Sequence, residues 1–124
     1  MFIKHDKPEY LKLSLDSIFN QSYQNFILFL GIDGPIGNDV RYVIGSVNDA
    51  RLRVIENKEN KGLASILNDL LAECRKQGYE YIARMDSDDI SKPERLEKQI
   101  AFLQNNVDID MVGGAINEID GEGH

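Results

Sequence analysis

The stretch "NFILFLGIDG", residues 25–34, decides the fold class of this chain. Residues 25–32 form a nearly continuous apolar run of strand length, which is typical of a strand covered on both faces. Such strands occur in parallel sheets that lie between layers of helices. Asp33 and Gly34 follow the run directly and predict a turn at the carboxyl end of the strand.

Strand-like and helix-like segments alternate along the rest of the chain. The patterns predict strands at 1–3, 25–32, 51–57, 79–85 and 108–116, and helices at 7–23, 39–48, 62–78 and 92–106. This alternation predicts an α/β fold with a Rossmann-like, mostly parallel sheet and helices on both faces. The first strand is too short to be complete, so we expect the sheet to be truncated there.

Composition limits the function. The chain has 124 residues, 42% of them hydrophobic, which suits one domain with a real core. Its net charge of −7 argues against a duplex nucleic-acid binder.

Cys74 is the only cysteine, so no internal disulfide can form, and its helical apolar context predicts a small core residue. No apolar run has transmembrane length. We expect one domain over residues 1–121 and an expression-tag remnant at 122–124.

Acidic residues cluster in "DSDD", residues 86–89, directly after the predicted strand 79–85. In open sheets of this kind, ligands bind beyond the carboxyl ends of the strands, where Asp33 is also expected. Carboxylates on both sides of one residue, Asp86 and Asp88, can converge on Mg²⁺ or Mn²⁺ and through it bind a diphosphate.

The spacing of Asp86 and Asp88 is weak evidence by itself. Asp108 and Asp110 have the same spacing at the predicted start of the last strand. The alternative is an acidic loop in which an aspartate or Ser91 caps the following helix. Spacing alone supports the two interpretations about equally, while the predicted strand end and the companion Asp33 favour a metal site.

Five blocks of sequence together resemble the N-terminal half of a family-2 glycosyltransferase with the GT-A fold. In chain order they are "PEYLKLSLDSIFNQSYQNF", "IDG", "ENKGLASILND", "YIARMDSDDISKPERLEKQIAFLQNN" and "MVGG". The resemblance implies metal-dependent transfer of a sugar from a nucleoside diphosphate donor, usually with inversion. It also implies a saccharide or lipid-linked acceptor, bacterial surface polysaccharide synthesis, and a location on the cytoplasmic side, in some members against the membrane.

The resemblance also implies roles for individual residues. Asp33 matches the aspartate that recognises the nucleotide base, and its acceptor oxygens suit the ring N–H of uracil. Asp86 and Asp88 match the D-x-D motif, with Asp88 as the direct metal ligand. Lys61 is near a position that faces the donor, although a solvated turn lysine is the competing interpretation. Arg84 either helps to bind the donor or pairs with an acid.

The sequence departs from the family pattern at two places. Ile32 stands where the family often has a second acid. The catalytic base is expected beyond residue 121, so no catalytic residue is assigned; Glu118 and Asp120 are acidic and late in the chain but have no other support. Two other functions stay open: a nucleotidyltransferase, although no glycine-rich phosphate loop follows the first strand, and a non-catalytic α/β binding or assembly module.

Overall fold

The computed structural model describes residues 1–3 and 7–120, so the predicted tag remnant at 122–124 lies outside the described residues. Three strands and four helices occur in these ranges. They are β1 (Phe2–Ile3), α1 (Pro8–Phe19), β2 (Leu28–Asp33), α2 (Asn38–Ser46), β3 (Leu52–Asn57), α3 (Leu63–Lys76) and α4 (Arg95–Asn105). Pro8 opens α1 at a position that needs no backbone N–H.

The sheet is parallel, with the strand order β1-β2-β3. Strand β2 is central, and all six of its residues are buried. Its pairing with β3 runs from Leu28 opposite Leu52 to Asp33 opposite Asn57. Because parallel strands end at the same edge, this register places Asp33 and Asn57 side by side at the carboxyl edge of the sheet.

Helices cover both faces of β2. On one face, Leu28 and Leu30 join a buried cluster with Leu11, Leu15 and Ile18 of α1 and Val40 of α2. On the other face, helix α3 packs so closely that a Cβ on Gly31 would lie 2.7 Å from Ile66 Cγ1 and 2.9 Å from Leu70 Cδ1. The predicted α/β fold with helices on both faces is therefore confirmed.

Two predicted strands are wrong. Residues 79–85 and 108–116 adopt neither strand nor helix in the described structure. A further strand next to β1 would have only the two residues Phe2 and Ile3 to pair with, which supports little of a hydrogen-bonded ladder. Tyr81 and Ile82 are exposed, so burial does not offset the cost of ordering this segment.

Helix α3 and the residues after it differ in part from the predicted pattern. Gly78 follows α3 with a φ of 76°, as expected of a glycine that ends a helix. Cys74 is only half-buried rather than a core residue, and partial burial raises the pKa of its thiol. The acidic segment 86–89 therefore follows a segment without regular secondary structure instead of a strand.

Candidate functional site

Asp33 ends β2 as a buried carboxylate, only 2% exposed. Its Oδ1 accepts hydrogen bonds from the backbone N–H of Lys61 at 3.0 Å and from Asn57 Nδ2 at 3.3 Å. Its Oδ2 accepts a hydrogen bond from the backbone N–H of Gly62 at 2.7 Å. Gly62 is the residue just before α3, so the Asp33 carboxylate binds the amino end of that helix, where negative charge is favourable.

Lys61 is brought to Asp33 by its backbone rather than by its side chain. The Lys61 N–H donates to Asp33, while the lysine side chain is exposed. Gly62 has a φ of 92°, a conformation that glycine adopts readily, at the residue that leads into α3. The loop between β3 and α3 is thus fastened to the end of β2 by an ionised acceptor, and its lysine faces solvent.

The acidic segment alternates between buried and exposed residues. Met85 and Ser87 are 7% and 3% exposed, whereas Asp86 and Asp88 are exposed. Both aspartates are therefore accessible from solvent, while their neighbours Met85 and Ser87 anchor the segment in the interior. The Asp86 carbonyl oxygen accepts a hydrogen bond of 3.3 Å from Ser14 Oγ of α1, which holds the backbone beneath them.

Charges crowd around this segment. The pKa of Asp89 is raised because the carboxyl is partly desolvated and because Asp86 and Asp88 add negative charge nearby. Arg84 Nη2 lies 3.3 Å from Asp86 Oδ1, with both side chains more than half exposed. Of the two predicted roles for Arg84, the structure therefore shows pairing with an acid. A cation bound near Asp86 and Asp88 would relieve the same repulsion.

Asp86 and Asp88 suit a divalent ion that takes its other ligands from a substrate and from water. No group of three or more acidic, histidine or cysteine side chains is arranged to hold a metal by itself within residues 1–3 and 7–120. Asp86 and Asp88 provide two exposed carboxylates. Mg²⁺ is often held in proteins by only one or two carboxylates, with substrate phosphates and water as its other ligands.

The alternative role of Ser91 as a helix cap is wrong. Glu94 precedes α4, and its side chain makes no capping hydrogen bond. Ser91 Oγ is buried without a hydrogen-bond partner among the described residues. The backbone N–H of Leu96 in the first turn of α4 instead donates to Gln21 Oε1, at 3.1 Å.

Sequence reasoning missed two kinds of residue. Asn57 could have been found, because it ends a predicted strand in the same way as Asp33 does. Ser14, Ser17 and Gln21 interrupt the apolar pattern of the predicted helix 7–23 at positions three and four apart, which is the spacing of one helix face. Buried polar residues at that spacing indicate a polar partner, although the sequence does not say which segment it is.

The described helices, all of 14 residues or fewer, include none that is long and apolar enough to cross a membrane.

Comparison with known proteins places these features in a family. The model of the family described as "Glycosyl transferase family 2" matches residues 3–124. Three similar proteins are all glycosyltransferases by name. A bifunctional glycosyltransferase of Dictyostelium discoideum is 41% identical over 83% of this chain and 14% of its own length. An O-antigen biosynthesis glycosyltransferase of Escherichia coli is 35% identical over 96% of this chain and 46% of its own length. An amylovoran biosynthesis glycosyltransferase of Erwinia amylovora is 34% identical over 95% of this chain and 44% of its own length.

This chain therefore spans less than half the length of each of these relatives. The family match covers nearly all of it and includes β2, Asp33 and the acidic segment 86–89. The chain belongs to glycosyl transferase family 2.

Proposed function

We propose that this chain is the donor-binding part of a metal-dependent glycosyltransferase that transfers a sugar from a UDP-sugar to an acceptor hydroxyl, with inversion. The observation that carries the proposal is the acidic segment 86–89. Met85 and Ser87 are buried and the Asp86 carbonyl is hydrogen-bonded to α1, yet Asp86 and Asp88 are exposed. Two exposed carboxylates on a fixed backbone suit a cation that also binds a diphosphate.

Asp88 is the direct metal ligand in this proposal, and Asp86 lies nearer the ribose or a metal-bound water. Asp86 also pairs with Arg84, so binding of a cation competes with that ion pair. Both side chains of the pair are exposed, and exposed pairs contribute only about 0–1 kcal/mol, so the competition is weak. A divalent cation, Mn²⁺ or Mg²⁺, supplies neutralisation of the charge that develops on the departing nucleoside diphosphate.

Asp33 is proposed to recognise the base. Its support is its position at the carboxyl edge of a parallel sheet, where ligands of such folds bind. Since its oxygens already accept hydrogen bonds from Lys61 and Gly62, a base N–H would share this acceptor with the β3–α3 loop. We propose that the exposed Lys61 side chain on that loop faces the negative charge of the donor.

The proposal also covers the chemical class of the acceptor and the source of the catalytic base. General-base activation needs a basic side chain within hydrogen-bond reach of the acceptor hydroxyl, and we propose that a residue after position 121 supplies it. Two of the three named relatives are described as glycosyltransferases of O-antigen and amylovoran biosynthesis, which supports a saccharide or lipid-linked acceptor. We place the reaction on the cytoplasmic side, at the inner face of the membrane.

Thermal unfolding of the chain with single nucleotides tests the donor class. UDP with Mn²⁺ should raise the melting temperature, because a ligand at about 100 times its Kd stabilises the folded state by about 2.7 kcal/mol. GDP and ADP with Mn²⁺ are the matched controls and should raise it much less. Equal shifts with all three nucleotides would contradict base recognition, and no shift with any of them would contradict the donor site.

A further inference from the structure

A cluster of polar side chains joins α1 to the acidic segment and to α4. We call Ser14, Ser17, Gln21 and Ser22 the 14–22 polar cluster. Ser14 and Gln21 are 0% and 1% exposed, so these groups lie in the interior rather than in solvent. Buried polar groups are costly unless they are hydrogen-bonded, and these make bonds to residues more than 70 positions away.

Gln21 makes the central contacts of this cluster. Its Nε2 donates to the Lys92 carbonyl at 2.8 Å and to the Ser17 carbonyl at 3.0 Å. Its Oε1 accepts the Leu96 N–H, one of the N–H groups that a helix leaves unpaired in its first turn. One side-chain amide thus fixes both the end of the acidic loop and the start of α4.

Three neighbouring contacts fix the same loop from either side. Ser14 Oγ donates to the Asp86 carbonyl at 3.3 Å, and Ser17 Oγ accepts the Ser91 N–H at 2.9 Å. The Ser22 N–H donates to the Pro93 carbonyl at 2.8 Å. The loop from Asp86 to Pro93 is therefore held near its beginning and its end by α1 and by Gln21 and Ser22, which lie just after that helix.

We infer that Gln21 is a positioning residue for nucleotide-donor binding: through Lys92 and Leu96 it sets the backbone that presents Asp86 and Asp88. The inference rests on the proposed function, since it concerns the same donor site. Gln21 touches neither carboxylate, so its effect passes through the loop backbone. No standard side chain of similar size replaces it, because leucine lacks polar atoms and glutamate cannot donate to a carbonyl.

The repulsion at the acidic segment explains why such support is needed. Asp86, Asp88 and Asp89 place three carboxylates within four consecutive residues, and like charges this close repel one another. Without backbone restraints, the loop would relax by moving these carboxylates apart. The 14–22 polar cluster keeps them together in the absence of a cation, so less ordering is required when the donor binds.

Gln21→Leu tests the inference, with Leu70→Ala as the matched control. Leu70 is buried in α3 on the opposite face of the sheet, so its truncation destabilises the fold without touching the cluster. Two readouts are taken on the 124-residue chain: the hydrogen-exchange rate of the Ser91 amide by NMR, and the Kd of UDP with Mn²⁺ by calorimetry. At conditions of equal global stability, the Ser91 amide should exchange at least about tenfold faster in Gln21→Leu than in the wild type. The Kd of UDP should rise about tenfold to a hundredfold, which is the range for residues that orient metal ligands.

Leu70→Ala should leave both quantities at the wild-type values once global stability is matched. Equal exchange rates in the two variants would overturn the inference that Gln21 fixes the loop. Faster exchange with unchanged UDP affinity would overturn its role in donor binding. Absence of UDP binding in the wild-type chain would instead refute the proposed function, and the Ser91 exchange rate would still decide whether Gln21 fixes the loop.

Discussion

Replacing Asp33 by asparagine should destabilise the folded chain as well as the donor site. The two oxygens of Asp33 accept hydrogen bonds from Lys61, Gly62 and Asn57. Asparagine keeps one oxygen and places an NH₂ group where the other was. In either orientation, an N–H donor of the β3–α3 loop then faces another donor at a site that is 2% exposed to solvent.

The expected loss follows from these contacts. A hydrogen bond to a charged group contributes about 1.5–3 kcal/mol, and a buried donor left unsatisfied costs a similar amount. Taking about 2 kcal/mol, and about 4 °C per kcal/mol for a domain of this size, Asp33→Asn should lower the melting temperature by about 8 °C. The substitution also removes a favourable negative charge at the amino end of α3, so a decrease of about 8 °C is a lower limit.

Urea and thermal unfolding followed by circular dichroism measure this loss without any nucleotide. Asp69→Asn is the matched control, because Asp69 is an exposed residue of α3, and surface substitutions usually change stability by less than about 0.5 kcal/mol. A change of under about 0.5 kcal/mol for Asp33→Asn as well would refute the account of Asp33 as the anchor of the β3–α3 loop.

Two further predictions concern packing and pH. Gly31→Ala should destabilise the fold by about 1–3 kcal/mol, because its Cβ would overlap Ile66 and Leu70. The control Gly45→Ala, which has open space around it in α2, should be neutral or stabilising. Equal urea midpoints for the two variants would contradict this packing. Asp89→Asn should stabilise the metal-free chain at pH 7. The raised pKa of Asp89 means that its contribution to stability is present below the unfolded pKa of about 3.9 and is lost as pH rises through the folded pKa. The stability difference between this variant and the wild type should therefore shrink at pH 3.5, and a difference independent of pH would contradict it.

The sequence predicted the parts of the fold that depend on strong local patterns. The apolar run of β2 and the periodic pattern of α3 identify their elements because burial of a whole strand or helix face dominates their energy. The strand prediction was wrong for residues 79–85 and 108–116. Their patterns are strand-like, but the strands that they would pair with are too short or absent among the described residues. Strand formation depends on a neighbour, and a single segment does not report its neighbour.

The candidate site was predictable in the same uneven way. Asp33, Asp86 and Asp88 could be selected because several carboxylates follow apolar segments in a recognisable order. The attachment of Asp33 to the Lys61 and Gly62 N–H groups could not, since backbone donors carry no sequence signal. Gln21 is the clearest omission: its partners Lys92 and Leu96 are over 70 residues away, so only the folded chain shows what it binds.

Calorimetric titration of UDP into the chain tests the central claim most directly. It should be performed with Mn²⁺ and with EDTA, in the wild type, Asp88→Ala and Asp110→Ala. Asp110 has the same spacing from Asp108 as Asp88 has from Asp86, and it is exposed, so it controls for the loss of one surface carboxylate. The donor-site account predicts binding that requires Mn²⁺, is lost in Asp88→Ala and is kept in Asp110→Ala; equal binding in the two variants, or binding unaffected by EDTA, would contradict it.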